Sequence, residues 1–175
     1  MRTTAKRLTK AEMRAFLEDY TKAWNDHDLD AIVSSLTDDV VWDHPFTIEP
    51  LRGRAAARAD LAETYRSFPD LHFPVEDSRI YIGDDHVTAV GTWTMVGTMA
   101  GPARGVEPTG RTIRISGVVT YRFRGGLISE HTIVYDGLEF SRQLGLLPGE
   151  KSLTLKALME LQRLSTKARK ALGLS

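Results

Sequence analysis

Three side chains with different proton chemistry stand out in this sequence: the carboxyl of Asp136, the imidazole of His44 and the phenol of Tyr20. A carboxylate in apolar surroundings has its charged form disfavoured, which lifts its pKa toward the range useful for taking and returning a proton. Asp136 follows Val134 and Tyr135, so such surroundings are plausible for it. An imidazole can polarise a carbonyl or share a proton with a carboxylate, and a phenol can donate to an enolate oxygen. Each residue also has a structural reading: Asp136 as N-cap of the helix that follows, His44 as a satisfied strand-end residue beside Pro45, Tyr20 as a core aromatic. On the residues alone both readings stay open. Trp24, Trp42 and Trp93 are large and rigid enough to line a flat ligand or to fill a core. Met95, Met99 and Tyr121 join them as candidate substrate contacts.

Other clusters carry less. Glu130 and His131 are adjacent, and alternation along a strand puts Glu130 on the side of Asp136 and His131 on the opposite side. Without a bulge the two do not face one cavity. The histidines at 27, 44, 72, 86 and 131 show no paired ligand spacing, and Asp84-Asp85-His86 reads as a solvated turn, so no metal site is expected. The chain has no cysteine, which excludes disulfides, thiolate metal sites and cysteine nucleophiles. Gly125-Gly126 is a hairpin turn rather than a phosphate loop, and no cofactor is expected.

The elements that must position these residues are legible from periodicity. From Arg111 to Phe123 the residues Ile113, Ile115, Val119, Tyr121 and Phe123 alternate with polar ones, with Gly117 in the same register, the pattern of a half-buried strand. Arg124-Gly125-Gly126 turns the chain, and a second strand runs from Leu127 to about Tyr135. Upstream, Thr9 and Glu12 form a capping-box pattern. They open a helix whose Met13, Phe16, Leu17, Tyr20, Ala23 and Trp24 share one face. A short helix is expected from Leu29 to Leu36, a strand from Val40 to Asp43, a loop from Phe46 to Gly53 and a third helix from Arg54 to Phe68. Strands follow from Glu76 to Ile82 and from His86 to about Met99, then a Gly/Pro-rich loop from Gly101 to Gly110. Residues 1–8 are expected to fray. Ser152 to Leu172 reads as a helix with an apolar and a basic stripe, expected to pack on the domain or on a neighbouring subunit. Three helices followed by several antiparallel strands make an α+β domain.

The chain has 175 residues, enough for one domain with a real core. It carries 23 basic and 23 acidic residues, so its net charge is zero, which argues against a nucleic-acid partner. No apolar run reaches the roughly 18 residues of a membrane helix, so no membrane partner is expected. The start, MRTTAKRLTKAEMR, has no hydrophobic stretch after its basic residues, so a secretory signal is not expected and a cytoplasmic location is.

The order of these residues resembles a known family. YTKAWNDHDLDAIVSSLTDDVVW, GTMAGPARGVEPTGRTI, the hairpin and YDGLEFSRQLGLLP together look like the SnoaL-like polyketide cyclase and ester cyclase branch of the nuclear transport factor two-like superfamily. Ketosteroid isomerase belongs to the same superfamily. The resemblance spans roughly Phe16 to Pro148. It implies a cone, a curved antiparallel sheet closed by three N-terminal helices around an apolar pocket. This cone domain would occupy residues 1–148, with a helical extension over 149–175. It further implies an apolar or aromatic small molecule as ligand and a homodimer through the outer sheet face. Asp136 matches the cyclases' general acid/base position, His44 resembles the isomerase's catalytic position before a proline, and Tyr20 matches its oxyanion tyrosine. The chemistry so implied is an aldol cyclisation or isomerisation of a carbonyl compound, without cofactor. The alternative is a non-catalytic binding or dimeric interaction module on the same scaffold, motivated by Met99 and Val119 standing where relatives carry polar groups.

Overall fold

A computed structural model describes residues 7–147 and 152–171. Helix α1 (Lys10–Asn25) begins at the expected capping box: the Thr9 hydroxyl accepts from the Glu12 amide while the Glu12 carboxylate accepts from the Thr9 amide. Its apolar face buries Met13, Leu17 and Tyr20. Asp28 caps the short α2 (Leu29–Ser34), and β1 (Leu36–Asp43) leaves directly from it. The two-residue β2 (Leu51–Arg52) precedes α3 (Arg54–Ser67). Next come β3 (Arg79–Ile82), β4 (Thr88–Thr98), β5 (Thr112–Arg124), β6 (Leu127–Tyr135), α4 (Gly137–Gln143) and α5 (Leu153–Ala171).

The six strands form one curved sheet in the order β2-β1-β6-β5-β4-β3, with α1 to α3 on its concave side. All neighbours are antiparallel except β1 and β6, which run parallel. The register shifts in β5 between Arg122 and Phe123 and in β1 between Leu36 and Val41. Such irregularities bend a sheet and raise its local twist. Alternation then decides what faces inward. Ile113, Ile115, Val119 and Phe123 of β5 are buried on the concave side, and so is His131 of β6. Two apolar clusters result. One joins α1, α2 and β1 around Met13, Leu17, Ile32 and Trp42; the other joins Phe68, Met99, Ile115 and Phe140.

Several sequence expectations need correction. Val75–Asp77 is a 3-10 turn, so the strand expected from Glu76 begins at Arg79. The expected loop 46–53 contains β2. Leu8 is buried in the core instead of fraying, while residues 1–6 and Pro148 lie outside the described residues. The apolar residues Leu153, Leu158, Met159, Leu161 and Leu164 of α5 are exposed, so these side chains do not pack on the domain.

One small residue controls the middle of the sheet. Gly117 of β5 faces Trp93 of β4, and a Cβ there would lie 2.4 Å from the indole and 2.5 Å from the Val134 carbonyl oxygen. Overfilling such a contact costs about 1–3 kcal/mol. Gly117→Val is therefore expected to lower the urea-unfolding free energy by that amount; a loss below about 0.5 kcal/mol would contradict the packing described.

Candidate active site

The concave face of the sheet and the helices enclose a cavity of about 760 Å³. That size suits a drug-sized organic molecule, and the wall is predominantly apolar, as small-molecule sites are. Tyr20, Trp24, Trp42, His44, Trp93, Met95, Met99 and Tyr121 all line it. The structure thus brings together eight of the nine residues singled out in the sequence. The exception is Asp136. It is exposed, and its carboxylate accepts from the amides of Leu138 (2.9 Å) and Glu139 (3.0 Å) as the N-cap of α4. The cause is parity. Along β6 the odd residues His131, Ile133 and Tyr135 face the cavity, while Val134 is exposed and Glu130 pairs with Arg122 outside. Asp136 continues the outward series, so the cap reading holds and the carboxylate is not delivered to the cavity.

The carboxylate that is delivered comes from α3. Asp60 lies on the helix face that buries Ala57 and Leu61, and its side chain is only 9% exposed. Three donors converge on it. The Trp42 indole donates to Oδ2 at 3.1 Å, His44 Nε2 lies 3.1–3.2 Å from both oxygens, and Arg104 Nη2 donates to Oδ1 at 2.5 Å. The His44 tautomer follows from its neighbours. Nδ1 accepts from the Phe46 amide at 3.3 Å, and Nε2 lies closer to the ionised carboxylate than to the Arg104 guanidinium nitrogen at 3.4 Å, so the ring proton is assigned to Nε2. Burial works to raise the Asp60 pKa. The His44 hydrogen bond and charge, the Arg104 guanidinium and the Trp42 indole outweigh it and hold the carboxyl below its ordinary 3.8.

Each partner is placed by a different element. Trp42 lies near the end of β1, and His44 follows at its exit. Arg104 sits in the Gly/Pro-rich loop with φ of +48°, and that loop is fastened to α3. The Arg104 amide donates to Glu63 Oε1 (3.0 Å), the Ser67 hydroxyl donates to the Pro102 carbonyl (2.8 Å), and the Ala100 amide donates to the Ser67 carbonyl (3.0 Å). So α3 supplies the carboxylate and also holds the loop that carries its cation. The guanidinium additionally donates to the Phe46 carbonyl at 3.3 Å and lies 5.9 Å from the centre of the Phe46 ring.

Deeper in the cavity an aromatic wall continues from this cluster. Trp42 stacks on His131 at 4.0 Å with an 8° angle between planes, and Tyr20 meets His131 edge-on at 6.0 Å. Trp24 stacks on Trp42 at 6.0 Å, and its carbonyl accepts from the Tyr65 hydroxyl. His131 is 2% exposed, and desolvation holds its pKa down at about 3, so it is neutral. Burial likewise pushes the Tyr20 and Tyr121 phenols up. Among the described residues no group of acids and histidines is arranged to hold a metal, and no helix is long and apolar enough to cross a membrane.

The profile of the SnoaL-like polyketide cyclase family matches residues 14–144. The chain belongs to that family. The match starts inside α1 and ends just after α4, so it contains the whole Asp60 cluster and all of the cavity lining but Leu146. No curated protein matches the chain. Among solved structures, this SnoaL-like chain is similar to a protein from Xanthomonas campestris pv. campestris assigned as a polyketide cyclase, with 22% identity, 77% of this chain and 98% of the other covered, and a TM-score of 0.70. It is similar to AclR of Streptomyces galilaeus, assigned as a hydroxylase, with 25% identity, coverage of 92% and 98%, and a TM-score of 0.69. It is also similar to TsrD of Streptomyces laurentii, with 26% identity, coverage of 80% and 99%, and a TM-score of 0.66.

Sequence reasoning missed Asp60 and Arg104 and set His131 aside. A signal for Asp60 was present: a lone acid between Ala57 and Leu61 on the apolar face of α3. Arg104 had none, because only its loop's attachment to α3 brings it near.

Two measurements check these placements. If Asp136 is a cap, Asp136→Ala loses about 1 kcal/mol of stability and Asp136→Asn only a few tenths; equal large losses in both would contradict the cap. The second concerns His131. Unfolded, its imidazole takes a proton as the pH falls through 6.5; folded, it does not until about 3. Stability therefore drops across that window, by up to about 1.4 kcal/mol per pH unit for one proton. His131→Leu is expected to flatten the wild-type pH dependence of urea unfolding between those values; an unchanged slope would contradict a buried neutral imidazole.

Proposed function

We propose that this SnoaL-like protein is an acid/base enzyme acting on an apolar, carbonyl-bearing small molecule, by aldol cyclisation or isomerisation. The observation that carries the reading is the buried Asp60 carboxylate, gripped by Trp42, His44 and Arg104 at the edge of an otherwise apolar cavity. Family membership supports a cyclase- or isomerase-type role on a small molecule.

Asp60 fixes the His44 ring with Nε2–H toward itself, which leaves Nδ1 as the basic nitrogen. Among the described residues the hydrogen bond to it comes from the Phe46 amide at 3.3 Å, and in this reading the substrate displaces that amide. Nδ1 removes a proton from the carbon next to the substrate carbonyl, and the C–H electron pair becomes the enolate. The imidazolium so formed faces a carboxylate that is already ionised, and the enolate oxygen takes a hydrogen bond from Arg104. In a cyclisation the enolate carbon then attacks a second carbonyl of the same molecule, and the alkoxide recovers the proton from His44. In an isomerisation the proton returns to a different carbon. The apolar wall keeps water from quenching the enolate.

The test needs no natural substrate. Exchange of the α-protons of 2-tetralone in D₂O is followed by proton NMR. Wild-type protein is expected to accelerate exchange over buffer, and Asp60→Asn and His44→Ala to lose about 100-fold or more of that acceleration. Equal acceleration by Asp60→Asn, or none by wild type, would favour a binding-only protein.

A further inference from the structure

The three arginines of β5, Arg114, Arg122 and Arg124, are each neutralised by a carboxylate, of Asp77, Glu130 and Asp39 in turn. Two arginines on the cavity wall are not. Arg14 of α1 and Arg79 at the start of β3 are exposed and line the cavity. Arg14 Nη2 donates to the Ile80 carbonyl at 3.1 Å, and Arg79 Nη1 donates to the carbonyls of Glu76 (2.8 Å) and Ser78 (2.7 Å). These acceptors are neutral, and among the described residues neither arginine forms an ion pair. Asp77, the acid nearest Arg79 in sequence, is taken by Arg114. Because Ile80 follows Arg79, the Arg14 bond brings both guanidiniums to one edge of the cavity, where α1 meets β3. Each is oriented by backbone, with further N–H donors of its planar fork uncommitted. Glu18, one turn along α1 from Arg14, stands on the same rim, while Lys22 is paired with Asp26. This edge lies away from the Asp60 cluster. Trp24 stacks on Trp42, whose indole donates to Asp60, and Arg14 lies about 15 Å back along α1 from Trp24 at the helical rise per residue.

We infer that Arg14 and Arg79 form an anion subsite at the α1–β3 edge of the cavity, which receives a terminal carboxylate of the ligand. Shape and charge both select that group. The guanidinium fork matches two coplanar oxygens. The charges of Arg14 and Arg79, less that of Glu18, leave one positive charge, which balances a monoanion. A phosphate monoester, with close to two negative charges, exceeds it. Between this edge and the Asp60 cluster the wall is mainly apolar, so the body of the ligand is hydrocarbon or aromatic. The ligand is then an apolar acid with its reacting carbonyl at the Asp60 end. The placing of that carbonyl rests on the proposed function; the anion subsite does not.

Binding of dodecanoate, methyl dodecanoate and dodecyl phosphate, followed by fluorescence of the cavity-lining Trp24, Trp42 and Trp93, tests the subsite. The chain has no net charge, so a preference for the acid over its ester does not come from the overall field. Wild-type protein is expected to bind dodecanoate about a hundredfold more tightly than the ester, about tenfold for each charge-assisted contact. Arg14→Gln and Arg79→Gln are each expected to lose about tenfold of that preference and to leave the ester within about twofold, so a folding defect does not mimic the loss. Glu18→Gln, which removes a like charge, is expected to tighten dodecanoate. A wild-type preference below about threefold, or one that survives in both arginine variants, would overturn the subsite. Dodecyl phosphate binding more tightly than dodecanoate would overturn the choice of a carboxylate. These readings are of binding alone, so the subsite and the proton exchange on 2-tetralone can each fail without the other.

Discussion

A carboxylate that leaves water must be given donors, and the demand of Asp60 organises one end of this molecule. Burial of the group would by itself favour its protonated form; three donors from three places reverse that balance. Trp42 comes from β1, His44 from the turn after it, and Arg104 from a loop more than forty residues further on. None is near Asp60 in sequence. The fold brings them together because β1 runs beside β6 in the sheet and α3 lies across the concave side, where it also holds the loop of Arg104. Removing any one donor leaves a buried charge less well satisfied, which is why the cluster behaves as a unit.

The remainder of the cavity is built on the opposite principle. Its wall is mainly aromatic and aliphatic, and three titratable groups within it, Tyr20, Tyr121 and His131, are kept neutral by burial. A strong ionic cluster at one end and a neutral apolar interior give the site a direction. In the proposed reaction the charge developing on the carbonyl is met by Arg104 beside His44; Arg14, Lys22 and Arg79 also line the cavity but are engaged with Ile80, Asp26 and Glu76. Trp42 belongs to both regions, since its indole edge serves Asp60 and its face covers His131. It fixes the separation between them.

Much of the fold was legible because period and punctuation were strong. The capping box at Thr9 and Glu12, the alternation in β5 and the glycine turn before β6 each give one local answer. Eight site residues were recognisable as large, apolar-facing or proton-handling groups on those elements. The choice of Asp136 over His131 failed on parity. Both lie on or next to the same strand, and only the burial of the odd residues shows which series faces inward. Asp60 was readable in principle as an acid on an apolar helix face. Arg104 was not: its position depends on hydrogen bonds that tie its loop to Glu63 and Ser67, about forty residues away, and no local pattern encodes such a contact. The parallel pairing of β1 with β6 was hidden for the same reason.

Everything proposed for the reaction depends on Asp60 holding His44 in one tautomer beside the cavity. Long-range proton–nitrogen NMR of the histidine side chains reads that state directly. Neutral His44 is expected to carry its proton on Nε2 with Nδ1 unprotonated, and Asp60→Asn is expected to lose this fixed state, giving a mixture of tautomers or ready exchange with water. A His44 ring protonated on Nδ1 in the wild type, or one indifferent to the loss of the Asp60 charge, would contradict it.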